Sequence, residues 1–263
     1  MPDLLSADGT RIACERDGSG PPLVFVDGAF CHRSFGPGAA IARRLRDRFT
    51  VIRYDRRGRG ASAAGTPWSV DRECEDLTAV IEANGGRAHV LGVSSGAALA
   101  LEAALRNAPI ERLVVFEPPF VIDDTKAPLP PDFVDGLRRA VAGGRRPDAV
   151  KAFLKLVGAP AFAVAIMRLL PVWKNLCAVA HTLPWDLSLV APHHRGQPFA
   201  TGAFDGIRAP TLVLWGGKSP AYMRNSGRAL AAAVPGARGE ELPKQTHMVK
   251  PGVLAGAVIR FCS

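Results

Sequence analysis

Leu91-Gly92-Val93-Ser94-Ser95-Gly96-Ala97-Ala98-Leu99 joins two unlike stretches of chain. Residues 88–93 are a short, continuous apolar run that reads as a strand, and residues 97–107, rich in Ala and Leu, read as a helix. A sharp turn therefore falls at Ser94. In such a strand-to-helix elbow the serine is held in a strained conformation, and the flanking glycines remove Cβ atoms that would collide. The hydroxyl then stands above the sheet at a helix N-terminus, where backbone N–H groups can receive the charge of a tetrahedral intermediate. In a chain with 27 glycines, Gly-x-Ser-x-Gly alone says little. The strand before it and the helix after it make Ser94 a candidate nucleophile.

The same alternation runs outward in both directions. Strands are expected over 11–16, 23–26, 50–54 and 112–116, and helices near 39–47 and 70–84. The strands LVFV, VIRY, HVLGV and LVVF are short and continuously apolar, as expected where helices cover both faces of a parallel sheet. From 118 to 205 the rhythm changes. Helical segments such as PPDFVDGLRRAVAGG, PDAVKAFLKLVG, PAFAVAIMRLL and VWKNLCAVAHTL follow one another, broken by proline and without a strand. Alternation resumes with a strand at 211–215, a helix at 222–233, a strand at 238–242 and a closing helix at 251–261. The fold class expected is α/β, a doubly wound and mainly parallel sheet, with core segments 1–117 and 206–263 and a helical insertion 118–205. Ligands in such sheets bind at the carboxyl ends of the strands.

A chain of 263 residues that is 48% hydrophobic can bury a large core. Its net charge of +9 raises nucleic acid as a partner. The densest basic groups, Arg43-Arg44-Leu45-Arg46, Arg56-Arg57-Gly58-Arg59 and Arg145-Arg146, fall in different elements and lack the interleaved aromatics that stack bases. They read as solvated faces, and no nucleic-acid partner is expected. No apolar run reaches the roughly 18 residues that span a bilayer, so no membrane partner is expected either. The start MPDLLSADGT has neither a basic nor an apolar leader, and the five cysteines are scattered without CxxC spacing. Free thiols in a cytoplasmic location, with no disulfide framework, are expected. His193-His194 point in divergent directions and have no partner at ligand spacing, so no metal is expected.

A parallel sheet, a nucleophile elbow, a helical insertion and a late histidine together resemble the α/β-hydrolase superfamily, and the resemblance covers essentially the whole chain. VFVDGAF at 24–30 resembles that family's oxyanion loop, YDRRGRGAS at 54–62 its Tyr-Asp-x-Arg-Gly-x-Gly-x-Ser turn, and QTHMVKP at 245–251 its terminal histidine loop. The resemblance implies His247 as general base and the N–H groups of Ala29 and Ser95 as oxyanion donors. Two positions depart from the pattern. Asp27-Gly28 stands where most members carry His-Gly, and Ser219 stands in the loop Gly216-Gly217-Lys218-Ser219-Pro220, where many carry the triad acid. Glu117, just beyond the expected strand 112–116, matches the place from which some members take their acid. Asp27 and Asp205 are its competitors.

The resemblance implies a cofactor-free serine hydrolase of the esterase or lactonase type, working through an acyl-enzyme on a small-molecule ester or lactone. The insertion would cap the site and select an apolar, medium-sized substrate. Phe30, Phe120, Phe133, Trp173 and Trp185 are the candidate substrate contacts, with Phe153, Leu156, Phe162, Met167 and Leu176 as further apolar side chains of the insertion. Acyl transfer or thioester cleavage in a biosynthetic pathway, cofactor-free haloperoxidase chemistry and a silent binding role remain open. So does the oligomeric state.

Overall fold

The structure is a computed structural model that describes residues 4–263, so the first three residues of the N-terminal stretch lie outside it. The chain opens with a small antiparallel pair, β1 (Leu4–Leu5) and β2 (Arg11–Ile12). It continues through β3 (Cys14–Asp17), β4 (Pro22–Val26), α1 (Gly38–Leu45), β5 (Thr50–Tyr54), α2 (Val70–Glu82), β6 (Ala88–Val93), α3 (Ser95–Leu105) and β7 (Ile110–Phe116). Five helices follow without a strand among them: α4 (Phe133–Ala142), α5 (Arg146–Leu156), α6 (Ala161–Met167), α7 (Val172–Ala178) and α8 (Leu183–Val190). The chain ends in β8 (Thr211–Gly216), α9 (Ala221–Ala233), β9 (Arg238–Leu242) and α10 (Pro251–Cys262).

Strands β3 to β9 form one seven-stranded sheet in the order β3-β5-β4-β6-β7-β8-β9. Only the edge strand β3 pairs antiparallel, and every other neighbour is parallel. Side chains alternate between two cores, as the period of a strand requires. Val24, Val26, Val90, Leu113, Val115 and Val213 face one core, which they share with α2, α3 and the inserted helices. Leu23, Phe25, Leu91, Val114, Phe116 and Leu212 face the other, against α1 and α10. Burial on both faces is why the strands read as unbroken apolar runs rather than alternating ones.

The expected doubly wound α/β sheet is thus present. Strands β5, β6 and β9 fall on the expected residues. The sequence reading did not separate α8, whose LPWDLSLV carries no glycine break from α7 and is joined to it by a 3₁₀ turn over Ala180–Thr182. Strand order reverses between β4 and β6, and the loops leaving β4, β6 and β7 open at that switch point.

Candidate active site

Ser94 occupies the elbow between β6 and α3 with φ 57° and ψ −126°, a conformation L-residues rarely hold. Its N–H donates to Phe116 O at 2.9 Å, and its carbonyl accepts from Ala97 N at 2.9 Å. The two glycines allow the close approach. A Cβ on Gly96 would stand 2.3 Å from Val26 O, and one on Gly92 2.6 Å from Gly96 O. Any side chain at either place would force β6, α3 and the end of β4 apart.

Glu117 follows β7 in a left-handed conformation, φ 47°, and is almost wholly buried. Its Oε1 accepts the Gly216 N–H at 2.7 Å, and its Oε2 lies 2.8 Å from His247 Nδ1. The strand end and the late loop therefore meet as the sequence suggested. Ser219 is buried beside Gly216, where a Cβ would come 2.7 Å from its Oγ. The Gly216 N–H beside it is already taken by Glu117.

Ser94 and His247 both line one cavity of about 540 Å³, together with Ala29 and Ser95. Its wall is mainly apolar, from Phe153, Leu156, Met167, Leu187, Val190 and Met223. Polar groups are few. Lys126, whose ammonium sits 4.4 Å from the Tyr222 ring centroid, is pushed below its ordinary pKa by burial. The Tyr222 phenol is pushed up to about 12 by burial and by the Glu117 charge.

The expected aromatic contacts are placed elsewhere. Phe30 packs edge-on against Phe153 at 5.1 Å, so it stands behind a wall residue. Phe120 is buried against His193 and Phe199, Trp185 stacks on Trp68, and Phe133 and Trp173 pack half-buried against the core. None of the five lines the cavity, whereas Phe153, Leu156 and Met167 do. Of the competing acids, Asp205 is exposed. Asp27 is buried with no hydrogen-bond partner for Oδ1 among the described residues, and burial pushes its carboxyl up to about 7.

The sequence reading missed a buried charge network. Arg56, Arg57 and Arg59, read as a solvated face, are all almost completely buried. Arg56 grips Glu73 through Nε and Nη2 at 2.7 and 2.8 Å and reaches Asp186 of α8 at 2.8 Å. Arg59 Nη2 lies 2.8 Å from both oxygens of Asp186, and its Nη1 donates to Gly28 O at 2.7 Å. Ser95 Oγ also donates to Asp186, at 2.8 Å. Burial alone would raise the Asp186 pKa, but the charges of Arg59 and Arg56 outweigh it and hold the carboxyl below its usual range. In a trans peptide C=O and N–H point in opposite directions. The Arg59 bond to Gly28 O thus fixes the Gly28–Ala29 peptide at the cavity wall that Ala29 lines. Two signals for this network were present in the sequence: three arginines on one turn, and a lone Asp in the apolar run LPWDLSLV.

The fold agrees with the comparisons. Residues 23–255 match the model of the Alpha/beta hydrolase family, and the chain belongs to that family. It is similar to the crystal structure of an alpha/beta hydrolase from Sphaerobacter thermophilus, with 46% identity and TM-score 0.90 over 99% of this chain and 100% of that one. It is 36% identical over 150 residues, 53% of this chain, to N-formylmaleamate deformylase of Pseudomonas putida, and that match spans 54% of the relative. An esterase from Exiguobacterium antarcticum shares the fold at TM-score 0.74 and 20% identity, over 98% of each chain.

Proposed function

We propose that the protein is a serine hydrolase that cleaves a carboxylic ester or lactone of an apolar, medium-sized substrate through an acyl-enzyme. The observation that carries the reading is the 2.8 Å contact between Glu117 Oε2 and His247 Nδ1, on a histidine that shares its cavity wall with Ser94. A carboxylate at Nδ1 fixes the tautomer that leaves Nε2 free to accept a proton. His247 takes the proton of Ser94 as Ser94 Oγ attacks the substrate carbonyl. The oxyanion is held by the N–H groups of Ala29 and Ser95, the second of which, at the start of α3, has no intrahelical partner. Collapse expels the alkoxide, which leaves with the proton from His247. Water, deprotonated by His247, then releases the acid and restores Ser94.

The helices between β7 and β8 act as the cap in this reading, and the apolar wall they supply favours an acyl or alkyl chain over a sugar or nucleotide. The free thiols of Cys31, Cys74, Cys177 and Cys262 are in keeping with a reducing, cytoplasmic setting. The name of the Pseudomonas putida relative denotes cleavage of an N-formyl amide, so a formamide belongs in the substrate panel beside esters and lactones. The test is labelling by a fluorophosphonate with the modified peptide sequenced, followed by turnover of that panel. Label on Ser94 in the parent and none in Ser94→Ala is the expected result. Unlabelled Ser94 with an intact fold would turn the reading toward a binding protein.

A further inference from the structure

α6 and the turn after it present an apolar ridge to solvent. The helix is Ala-Phe-Ala-Val-Ala-Ile-Met, without one polar side chain, and only Val164 of its seven residues is buried. A helix apolar all round is ordinarily enclosed by protein or lipid. Here Phe162 is 71% exposed and Leu169 86%, with Ile166 and Leu170 at half or more. Contiguous apolar surface of this kind marks a site that something covers.

Charge identifies what covers it. Residues 145–178 hold six cations, Arg145, Arg146, Lys151, Lys155, Arg168 and Lys174, against one anion, Asp148. Five of the chain's nine net positive charges thus lie on the helices around the ridge, and all six cations are exposed. Lys151, Lys155, Arg168 and Lys174 form no salt bridge among the described residues. A second copy docked about a two-fold axis would set this basic patch against itself. An anionic surface with an apolar interior satisfies both features at once, the side chains entering the acyl boundary and the cations meeting headgroups. No single helix among the described residues is long and apolar enough to cross a membrane, and α6 and α7 reach that length only as a pair bent by 95°.

The ridge also adjoins the cavity. Met167 at the end of α6, and Val157, Gly158 and Ala159 in the loop before it, line the space that holds Ser94. We propose that the α6–α7 ridge is a docking surface for anionic lipid, which brings the rim of the cavity against a store of apolar substrate. Docking itself does not rest on the hydrolase reading, because it is measured without turnover.

The experiment is co-sedimentation of the full chain with vesicles of phosphatidylcholine, with and without about half phosphatidylglycerol. Binding to the anionic vesicles alone, weakened by salt, is expected. Leu169→Glu with Leu170→Glu, and separately Arg168→Glu with Lys174→Glu, should each weaken partitioning at least about tenfold. Circular dichroism and hydrolysis of a soluble short-chain ester should stay unchanged in both. No binding to anionic vesicles, equal binding to neutral ones, or binding that survives both double variants would overturn the proposal. A wild-type dimer in analytical ultracentrifugation that becomes a monomer in Leu169→Glu/Leu170→Glu would overturn it too, by giving the ridge to a second copy.

Discussion

Glu117 is held from two sides, by the Gly216 N–H and by His247 Nδ1, so its charge has a fixed place and a fixed partner. Glu117→Gln keeps an oxygen for Gly216 but cannot stabilise an imidazolium and allows the wrong histidine tautomer. Turnover should fall roughly 10³–10⁴-fold with the melting temperature nearly unchanged. Near-normal steady-state rates would move the acid elsewhere. Asp27 poses the opposite case, a buried carboxyl with no role in the proposed steps. Its folded value of about 7 stands above the ordinary 3.8, chiefly through burial. Between those values the folded state keeps a proton that the unfolded chain releases, so stability falls as pH rises through the window and the cost is complete above it. Three pK units amount to on the order of 4 kcal/mol. Asp27→Asn mimics the protonated form and should remove this slope. Urea unfolding at pH 5 and pH 8 measures it: the variant should gain on the parent at the higher pH, and an equal difference at both would refute the cause.

The loop after β4 shows how an element is made to serve a site it does not itself define. Its Gly28 carbonyl is fixed by Arg59, Arg59 by Asp186 of α8, and Ser95 by the same Asp186. Both proposed oxyanion donors therefore depend on one carboxylate from the inserted helices. Arg59→Lys keeps a positive charge but has no planar fork to hold Asp186 and Gly28 O together. It should lower kcat by about 10–100-fold while KM hardly moves, since a donor misplaced for the oxyanion affects the transition state rather than substrate binding. A change in KM alone would place Arg59 in substrate binding instead. This network also marks where the sequence stopped being legible. The contact of Glu117 with His247, and the place of His247 and Ser94 on one cavity, could be read because strand ends and loop order bring them to the carboxyl edge of the sheet. Arg59 and Asp186 lie 127 positions apart. No periodicity relates them, and a charged turn looks the same whether water or a buried carboxylate faces it. The wall of the cavity was hard to read for a related reason: helical spacing says which face is apolar, not which apolar residues meet each other and which meet a void. Phe153 and Met167 line the cavity while Phe133 and Trp173 pack against the core.

At the scale of the molecule, the inserted helices are not a separate body resting on the sheet. Val24 and Val115 of the sheet share one apolar core with Leu137, Val150, Leu176 and Leu187 of the insertion. Across the same boundary run the ion pairs of Arg56 and Arg59 with Asp186, their ends 1% exposed or less. Trp185 of α8 stacks on Trp68 of the sheet-bearing part, centroids 5.6 Å apart and planes 6° from parallel. A boundary crossed by apolar burial and by buried charge should not open before the rest unfolds, because exposing it would cost much of the stability of both parts. Scanning calorimetry should therefore give one transition, with matching calorimetric and van 't Hoff enthalpies. Asp186→Asn leaves two buried arginines short of a counter-charge, at a cost of about 3–5 kcal/mol. At this chain length that lowers Tm by roughly 10 °C. The shift should come without splitting the transition, because the shared apolar core still ties insertion to sheet. An early, separate transition in the parent would show that the insertion folds on its own, and the link from Asp186 to the oxyanion loop would then be one that thermal motion readily breaks.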